Sequence, residues 1–463
     1  MLFARQGWKT SLCRTLTSIL FVGLILWKQW ATFLTTHGSL TNISLHKLFE
    51  HTEEDPDRTG RPNYDVLLRQ SRLIINEIGR LSKSQFSENT AFSQLLQQAT
   101  VQLSARLNIF DQLNGRREKR CTRMKSLSLR LQRQILNLQY PRHCRNKKIA
   151  LTESRRICGF GCVCHHVAYT FGNSFAMNRT LLIKGNVWGD TFQPITSCGN
   201  LTAVQSKEAV HMPFTEYLNG GQFDPPGLAD EWATAMEDIH GAPYVWFRGH
   251  LLSFLLRPIW SAAETDRGPY VGVHVRRTDK IVTQEAGFHS LSEYMVHVKR
   301  FFRLVYLASD DPSVFTEARE QYTDYIFLGD QKKAKTWSDT TEDAIMTDIL
   351  ALAKSDLLVC TASSNVCRLA YELMLAQQPA NDDATFNSQS LDVRFISHRS
   401  RQGRWKVIAD FKDNNLVLGD LYSLSANSSD GFLRSFCALD GNCHKQLIPA
   451  YLLQEITLRY SKR

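Results

Sequence analysis

The stretch His274-Val-Arg276-Arg277-Thr278-Asp279-Lys280 gathers more chemistry than any other part of the chain. It follows directly on Val271-Gly-Val-His-Val275, an apolar run of the kind that forms a buried strand. In open parallel sheets, ligands bind beyond the carboxyl ends of the strands. Two arginines placed there can grip a diphosphate through bidentate, charge-assisted hydrogen bonds. The plainer alternative is a solvated loop with internal ion pairs. Three other segments favour the functional reading. Asp310-Asp311-Pro312 ends another apolar run but lacks the D-x-D spacing of a metal site. Cys360-Thr-Ala-Ser363-Ser364-Asn365-Val-Cys367 ends a third and opens a helix, so its hydroxyls and amides form an anion pocket that a Cys360–Cys367 bridge would lock. Cys158-Gly159-Phe160-Gly161-Cys162 is a small glycine loop able to bring backbone amides close to phosphate. Such a set suits displacement at a nucleotide-diphosphate sugar, with arginine neutralising the leaving group in place of a metal. Glu285 is the nearby carboxylate that could take a proton from an acceptor hydroxyl. Zinc at Cys158, Cys162 and Cys164 would need a further Cys/His pair at finger-like spacing, and only the adjacent His165-His166 follows.

The elements that must hold these residues alternate. Apolar strands are expected at 271–275, 303–308, 325–328 and 356–360, with helices at 291–302, 313–321, 341–354 and 364–377. That β-α-β-α order predicts an α/β domain with a parallel sheet. No G-x-G-x-x-G fingerprint occurs, which argues against a nicotinamide enzyme. Beyond residue 400 the texture changes to short strands, including 405–409, 415–418 and 446–449, in a small all-β module that Cys437 and Cys443 would staple. Upstream, apolar stripes through Leu67, Ile74, Ile78 and Leu81, and through Leu96, Leu103, Leu107 and Phe110, predict a helical hairpin or coiled coil over 62–140. Stripes without a globular partner point to a homodimer. A third helix is expected from about Arg123 to Leu138, before Pro141.

The chain has 463 residues and a formal charge of +10, enough length for two or three domains. The charge does not imply a nucleic-acid partner, because residues 116–148 hold twelve Lys/Arg and one acid and account for the whole excess. That run reads as a solvated helix face near an anionic membrane. Its Arg117-Glu-Lys-Arg120 is more simply part of this helix than a proprotein-convertase site. Residues 15–34 are mostly apolar and follow Arg5, Lys9 and Arg14. This predicts a signal anchor with residues 1–14 cytosolic, a stem over 35–61, and the remainder luminal. Eleven cysteines and sequons at Asn42, Asn178, Asn200 and Asn427 fit an exported, disulfide-bonded glycoprotein.

The segment V-G-V-H-V-R-R-T-D-K at 271–280 closely resembles the core α-1,6-fucosyltransferases of N-glycans. So do Phe288-His289, Glu293–Val298, Tyr306–Pro312, Asp356–Glu372, the Cys158–Tyr169 region, Arg179–Ile183 and His240–Pro243. The likeness is strong over about 130–380 and continues weakly into an SH3-like module over 400–460. It implies a Golgi, single-pass type II enzyme of GT-B type, with an N-terminal α/β subdomain over 141–265 and a Rossmann-like donor-binding subdomain over 266–395. The implied reaction is inverting and metal-independent, needs no cofactor, and moves fucose from GDP-fucose to the 6-hydroxyl of the core GlcNAc of an N-glycan. By motif, Arg276 would stabilise the departing GDP, and His274 and Asp348 would contact the nucleoside. Gly159, Gly161, Ser364 and Asn365 would serve the phosphates, with Arg277 and Asp279 also on the donor side. Glu285 would be the base, with Lys280 relaying or tuning its charge. Tyr294, Asp310 and Asp311 would shape donor or acceptor recognition. The implied disulfides are Cys144–Cys198, Cys158–Cys162 and Cys360–Cys367, and the extra Cys121 and Cys164 are candidates to pair with each other.

This sequence departs from the family pattern in places. The loop from Lys280 to His289 is one residue longer, so Gln284 competes with Glu285 for the base position. Asn365 stands where the family commonly has Gln. Leu151 (or Ala150) and Thr170 replace a family disulfide. The SH3-like module has Ser429-Asp-Gly-Phe432 where a peptide-binding version would carry Trp, which favours a structural or acceptor-side role. The competing readings are another fucosyltransferase, of protein O-fucosyl or chitin-oligosaccharide type, and an inactive glycan-binding scaffold on the same fold.

Overall fold

In the computed structural model the described residues fall between Tyr64 and Tyr460. Residues 1–63, the segments 80–90, 154–157, 186–190, 200–204, 213–227, 260–267, 284–285, 299–301, 334–341, 379–386, 393–403, 411–415 and 439–446, and some shorter stretches are not described. The expected tail, anchor and stem lie outside the described residues, as do Gln284, Glu285, Cys443, Asn42 and Asn200. Among the described residues no helix is long and apolar enough to cross a membrane.

Helical backbone at the described residues between Tyr64 and Gly79 precedes two long helices, α1 (Ala91–Leu113) and α2 (Arg116–Gln139). Met124, Leu127, Leu131, Ile135 and Leu138 form the buried stripe of α2 at three- and four-residue spacing. The α2 helix begins at Arg116 rather than near Arg123. Its basic start is stabilised because Arg120, 4% exposed, pairs with Asp65 and Asp111. That arginine therefore leaves the expected solvated face. Along α1, by contrast, Leu95, Val101, Ile109, Phe110 and Leu113 are exposed.

The next layer is a parallel sheet ordered β2-β1-β3, built from β1 (Ile149–Glu153), β2 (Thr180–Lys184) and β3 (Val210–His211). Helix α3 (Phe160–Ala176) crosses from β1 to β2. A short parallel pair, β4 (Leu228–Ala229) with β15 (Arg459–Tyr460), ties the C-terminal end of the chain to this region. Helices α4 (Asp230–Met236) and α5 (Pro243–Leu255) follow β4.

The central sheet is parallel and ordered β7-β6-β5-β8-β9. Its strands are β5 (Val271–Val275), β6 (Leu304–Ser309), β7 (Ile326–Leu328), β8 (Leu357–Cys360) and β9 (Ser388–Ser390). Its helices are α6 (Asp279–Val282), α7 (Leu291–Met295), α8 (Ser313–Gln321), α9 (Glu342–Ala353) and α10 (Asn365–Gln377). The chain starts in the middle, winds outward through β6 and β7, and returns to the other side of β5 at β8. Period-two alternation divides β5. Val271, Val273 and Val275 join the core under α7 and α8, while Gly272 faces α9, where an added Cβ would lie 2.8 Å from Ser355 Oγ. His274 shares the Gly272 face. The helix expected over 291–302 ends at Met295, where 297 and 298 close tighter three-residue turns. The polar edge strand β9 was not expected.

Helices α5 and α10 lie against each other, and one apolar core runs from α2 and α3 through this contact to α9. Gly249 permits the approach, since a Cβ there would sit 2.1 Å from the Glu372 carbonyl oxygen. A separate antiparallel sheet, ordered β13-β12-β11-β10-β14, surrounds Val407, Leu433, Ile448 and Leu453. Its strands are β10 (Arg404–Val407), β11 (Leu421–Asn427), β12 (Phe432–Ala438), β13 (Leu447–Pro449) and β14 (Leu453–Ile456). In the strand expected at 415–418, Leu416 forms only a single bridge and the chain turns at Leu418, where Asp410 accepts the Leu418 amide and Asp420 accepts that of Val417; Asn415 lies outside the described residues.

Candidate active site

The order of the central sheet puts its switch point between β5 and β8, the place where doubly wound sheets leave a crevice for ligands. Both strand ends singled out in the sequence open onto it: 276–280 after β5 and 361–365 after β8.

The turn after β5 is held by Asp310, the first residue past β6. Its carboxylate accepts the amides of Arg277 (2.9 Å) and Thr278 (3.0 Å), and also the Thr278 hydroxyl. Arg276 lies between two carboxylates, donating to Asp279 at 2.6 Å with its Nε 3.4 Å from Asp310. Burial pushes the Asp310 carboxyl upward, but Arg276 and the Thr278 and backbone donors outweigh it and hold the group below its ordinary value. Arg277 turns away to Glu317 at 2.9 Å and covers the Phe288 ring at 4.9 Å. Asp311 accepts the amide and hydroxyl of Ser313, the first residue of α8. Asp310 and Asp311 are thus both engaged within the protein. Lys280 belongs to α6, and its side chain lies outside the description.

His274 is buried, and among the described residues its Nδ1 has no hydrogen-bond partner. Burial, then the Arg276 charge, lower its pKa to about 4 against a smaller pull from Asp310, so the ring is neutral near pH 7. Asp348 projects from α9 on the same side and accepts the Tyr306 hydroxyl at 2.8 Å.

At the other wall, Ser364 is the N-cap of α10, but its side chain makes no capping bond. The α3 cap is Gly159, which has no side chain to cap with. Both helices therefore lack a side-chain cap and present the positive end of a dipole, although the Cys162 amide of α3 already bonds the Gly159 carbonyl. These two ends meet: a Cβ on Gly161 would lie 3.0 Å from the Asn365 backbone and Cβ. Each is stapled by a disulfide, Cys158–Cys162 and Cys360–Cys367, and Cys144–Cys198 is the third bridge. Cys158, Cys162 and His166 lie close enough to suggest a metal site, but the two sulfurs are spent in their own bond. Cys121 and Cys164 do not pair. Cys164 is enclosed in the core, and Cys121 lies half-buried in the first turns of α2. For Cys437 no side chain is described, so its expected bridge to Cys443 lies outside the described residues. Tyr294 is buried with its hydroxyl bonded to Thr361, and burial chiefly raises its pKa.

A network centred on the buried Glu372, with half-buried partners, lies behind the helix ends. His165 Nδ1 is 2.6 Å from the Gly161 carbonyl and its Nε2 is 3.0 Å from Glu372 Oε2. Arg248 of α5 donates to the other Glu372 oxygen. Burial alone would raise the Glu372 pKa, but Arg248, His165 and Arg368 bring it down to about 2. In the sequence, Glu372 and Arg368 stood only inside a family motif, His165 in a motif and beside the zinc alternative, and Arg248 was not singled out. The signal was available: a glutamate in the apolar run Leu369-Ala-Tyr-Glu372-Leu-Met-Leu needs a buried partner.

A doubly wound parallel sheet with arginine at its switch point is the framework of nucleotide-binding α/β enzymes. The sequence profile of the alpha-(1,6)-fucosyltransferase N- and catalytic domains matches residues 66–395, and the chain belongs to that family. It is 34% identical to an alpha-(1,6)-fucosyltransferase of Drosophila melanogaster over 66% of this chain and 57% of the relative. With the Caenorhabditis elegans alpha-(1,6)-fucosyltransferase it shares 29% over 81% of this chain and 76% of the other. Among solved structures, an Arabidopsis thaliana FUT1 mutant in complex with GDP aligns over 82% of this chain and 99% of that one, at 13% identity and a TM-score of 0.39. A likeness that loose carries no argument.

Proposed function

We propose that the protein is an inverting, metal-independent glycosyltransferase that moves fucose from GDP-fucose to the 6-hydroxyl of the Asn-linked core GlcNAc. Its site would be luminal, behind a type II Golgi anchor at 15–34. One observation carries the reading: in a chain of this family, Arg276 is braced by Asp279 and Asp310 at the switch point, beside two uncapped helix ends.

The diphosphate of the donor would lie against Arg276 and the amides of the first turns of α3 and α10. Negative charge grows on the β-phosphate as its bond to fucose C1 breaks, and a fixed guanidinium stabilises that charge without reorganising. The acceptor oxygen would attack C1 from the opposite face, inverting it, while Glu285 takes the hydroxyl proton and Lys280 tunes its charge. His274, neutral and with an open Nδ1, suits a neutral nucleoside hydrogen bond, and Asp348 a second. The helices over 62–140 would provide coiled-coil dimer contacts, and the β10–β14 module an SH3-like support on the acceptor side.

The test is incubation with GDP-fucose and a GlcNAc-terminated biantennary glycopeptide in EDTA. Core 6-linked fucose should form. Arg276→Ala should lower kcat by roughly 10²- to 10³-fold, the scale of one lost oxyanion donor. Complete inhibition by the chelator, or an Arg276→Ala enzyme of normal rate, would refute the proposal.

A further inference from the structure

Helices α3 and α10 come from different layers of the molecule, yet their N-termini touch at Gly161 and Asn365. Apolar packing beneath can hold two helices together, but it does not by itself fix the spacing of amides at their ends. A chain of polar contacts does. The Gly161 carbonyl and the Glu372 carboxylate both only accept, so holding the two at once takes a proton on each His165 ring nitrogen, a charged form that burial opposes and Glu372 favours. Across the ring, Nε2 meets Glu372, whose other oxygen is held by Arg248. Glu372 is seven residues along α10 from Asn365. On the same helix Arg368 donates to Asn365 Oδ1, tying the end of α10 to a cation that also acts on Glu372 and His165. The route from Gly161 through His165 and Glu372 to Asn365 is therefore closed, and the direct contact between Gly161 and Asn365 completes the ring. One carboxylate, 1% exposed, sits among Arg248, Arg368 and His165. The surplus positive charge lies directly behind the two helix ends.

We infer that His165 and Glu372 are positioning residues that set the distance between the two helix N-termini and so shape one cradle for the donor diphosphate. Neither need touch the nucleotide. The inference rests on the reading that GDP-fucose occupies the β5–β8 switch point, and it adds what makes that pocket fit a diphosphate: rigid registration of two helix ends by the His165–Glu372 bridge.

Two one-ended variants separate registration from mere packing. His165→Asn keeps a donor near the Gly161 carbonyl but falls short of Glu372. His165→Gln reaches Glu372 but releases Gly161. GDP affinity is read by calorimetry, with donor KM, acceptor KM and Tm alongside. Each variant should weaken GDP binding about tenfold, the equivalent of about 1.4 kcal/mol. Donor KM should rise in step, while acceptor KM and Tm stay near wild type. Glu372→Gln, which keeps the shape but not the charge, should act in the same direction. The inference is overturned if GDP affinity stays unchanged in both His165 variants, or if donor and acceptor KM rise together with a falling Tm. Wild type failing to bind GDP would remove the donor-site reading and this inference with it. Normal binding by wild type and variants alike would remove the inference only.

Discussion

Asp310 shows how far a residue's type can be read ahead of its direction. Two carboxylates after a strand suggest ligand contacts, yet Asp310 turns inward to brace the Arg276–Thr278 turn with both of its oxygens. Asp310→Asn should keep the fold and slow turnover about tenfold, since a charge-assisted hydrogen bond is worth about 1.5–3 kcal/mol. Its pH signature has a definite sign. The folded pKa is depressed, so the stabilisation is complete above the ordinary Asp value of about 3.9 and is lost as pH falls through the lower folded value. Wild type should therefore melt above Asp310→Asn at pH 6, with the gap closing on acidification below about 4. Melting curves that stay parallel throughout would mean that the carboxylate's charge is not what holds the turn.

At the scale of elements, Gly249→Ala is the sharpest test of the α5–α10 seam. Its Cβ would collide with the Glu372 carbonyl oxygen, a backbone atom that cannot rotate away. The helices must separate, and overpacking of this kind costs about 3 kcal/mol, measurable by urea unfolding. A stability loss under 0.5 kcal/mol would show that the seam is loose. Which elements were legible follows from where their information lies. Helix α8 spans the expected 313–321 and β5 the expected 271–275, because apolar periodicity and flanking turn residues mark both. Strand β9, Ser388-Gln-Ser390, has no such pattern. Backbone pairing to β8 defines it, and pairing leaves no trace in side-chain type. The burial of Arg120, read as part of a solvated helix face, was hidden for a related reason. Arg120 can be buried there because Asp65 and Asp111 come to it from elsewhere in the chain. In the site, residue types around 274–280 and 360–367 were readable, whereas the His165–Glu372 bridge joins partners too far apart in sequence to be paired by inspection.

At the scale of the molecule, the C-terminal β-module reaches the centre through Glu455 of β14, whose carboxyl is raised to about 8 by burial despite some pull from Arg248. A raised acid works opposite to Asp310. Its neutral form suits the fold, so stability is full below the ordinary Glu value of about 4.3 and falls as pH rises through about 8. Glu455→Gln should match wild type at pH 5 and melt higher at pH 9; equal melting at both would show that Glu455 is not strained by its charge. The core shared across α5 and α10 has a further consequence. An enzyme whose layers meet loosely can admit its substrate by swinging them apart, but here α2, α3, α5, α9 and α10 share one apolar core. Hydrogen exchange along 243–255 and 365–377 should then be slow and nearly indifferent to GDP. Access to the crevice would fall to the loops around its mouth, so the rhythm of turnover would be set by short flaps, with the body of the molecule standing still.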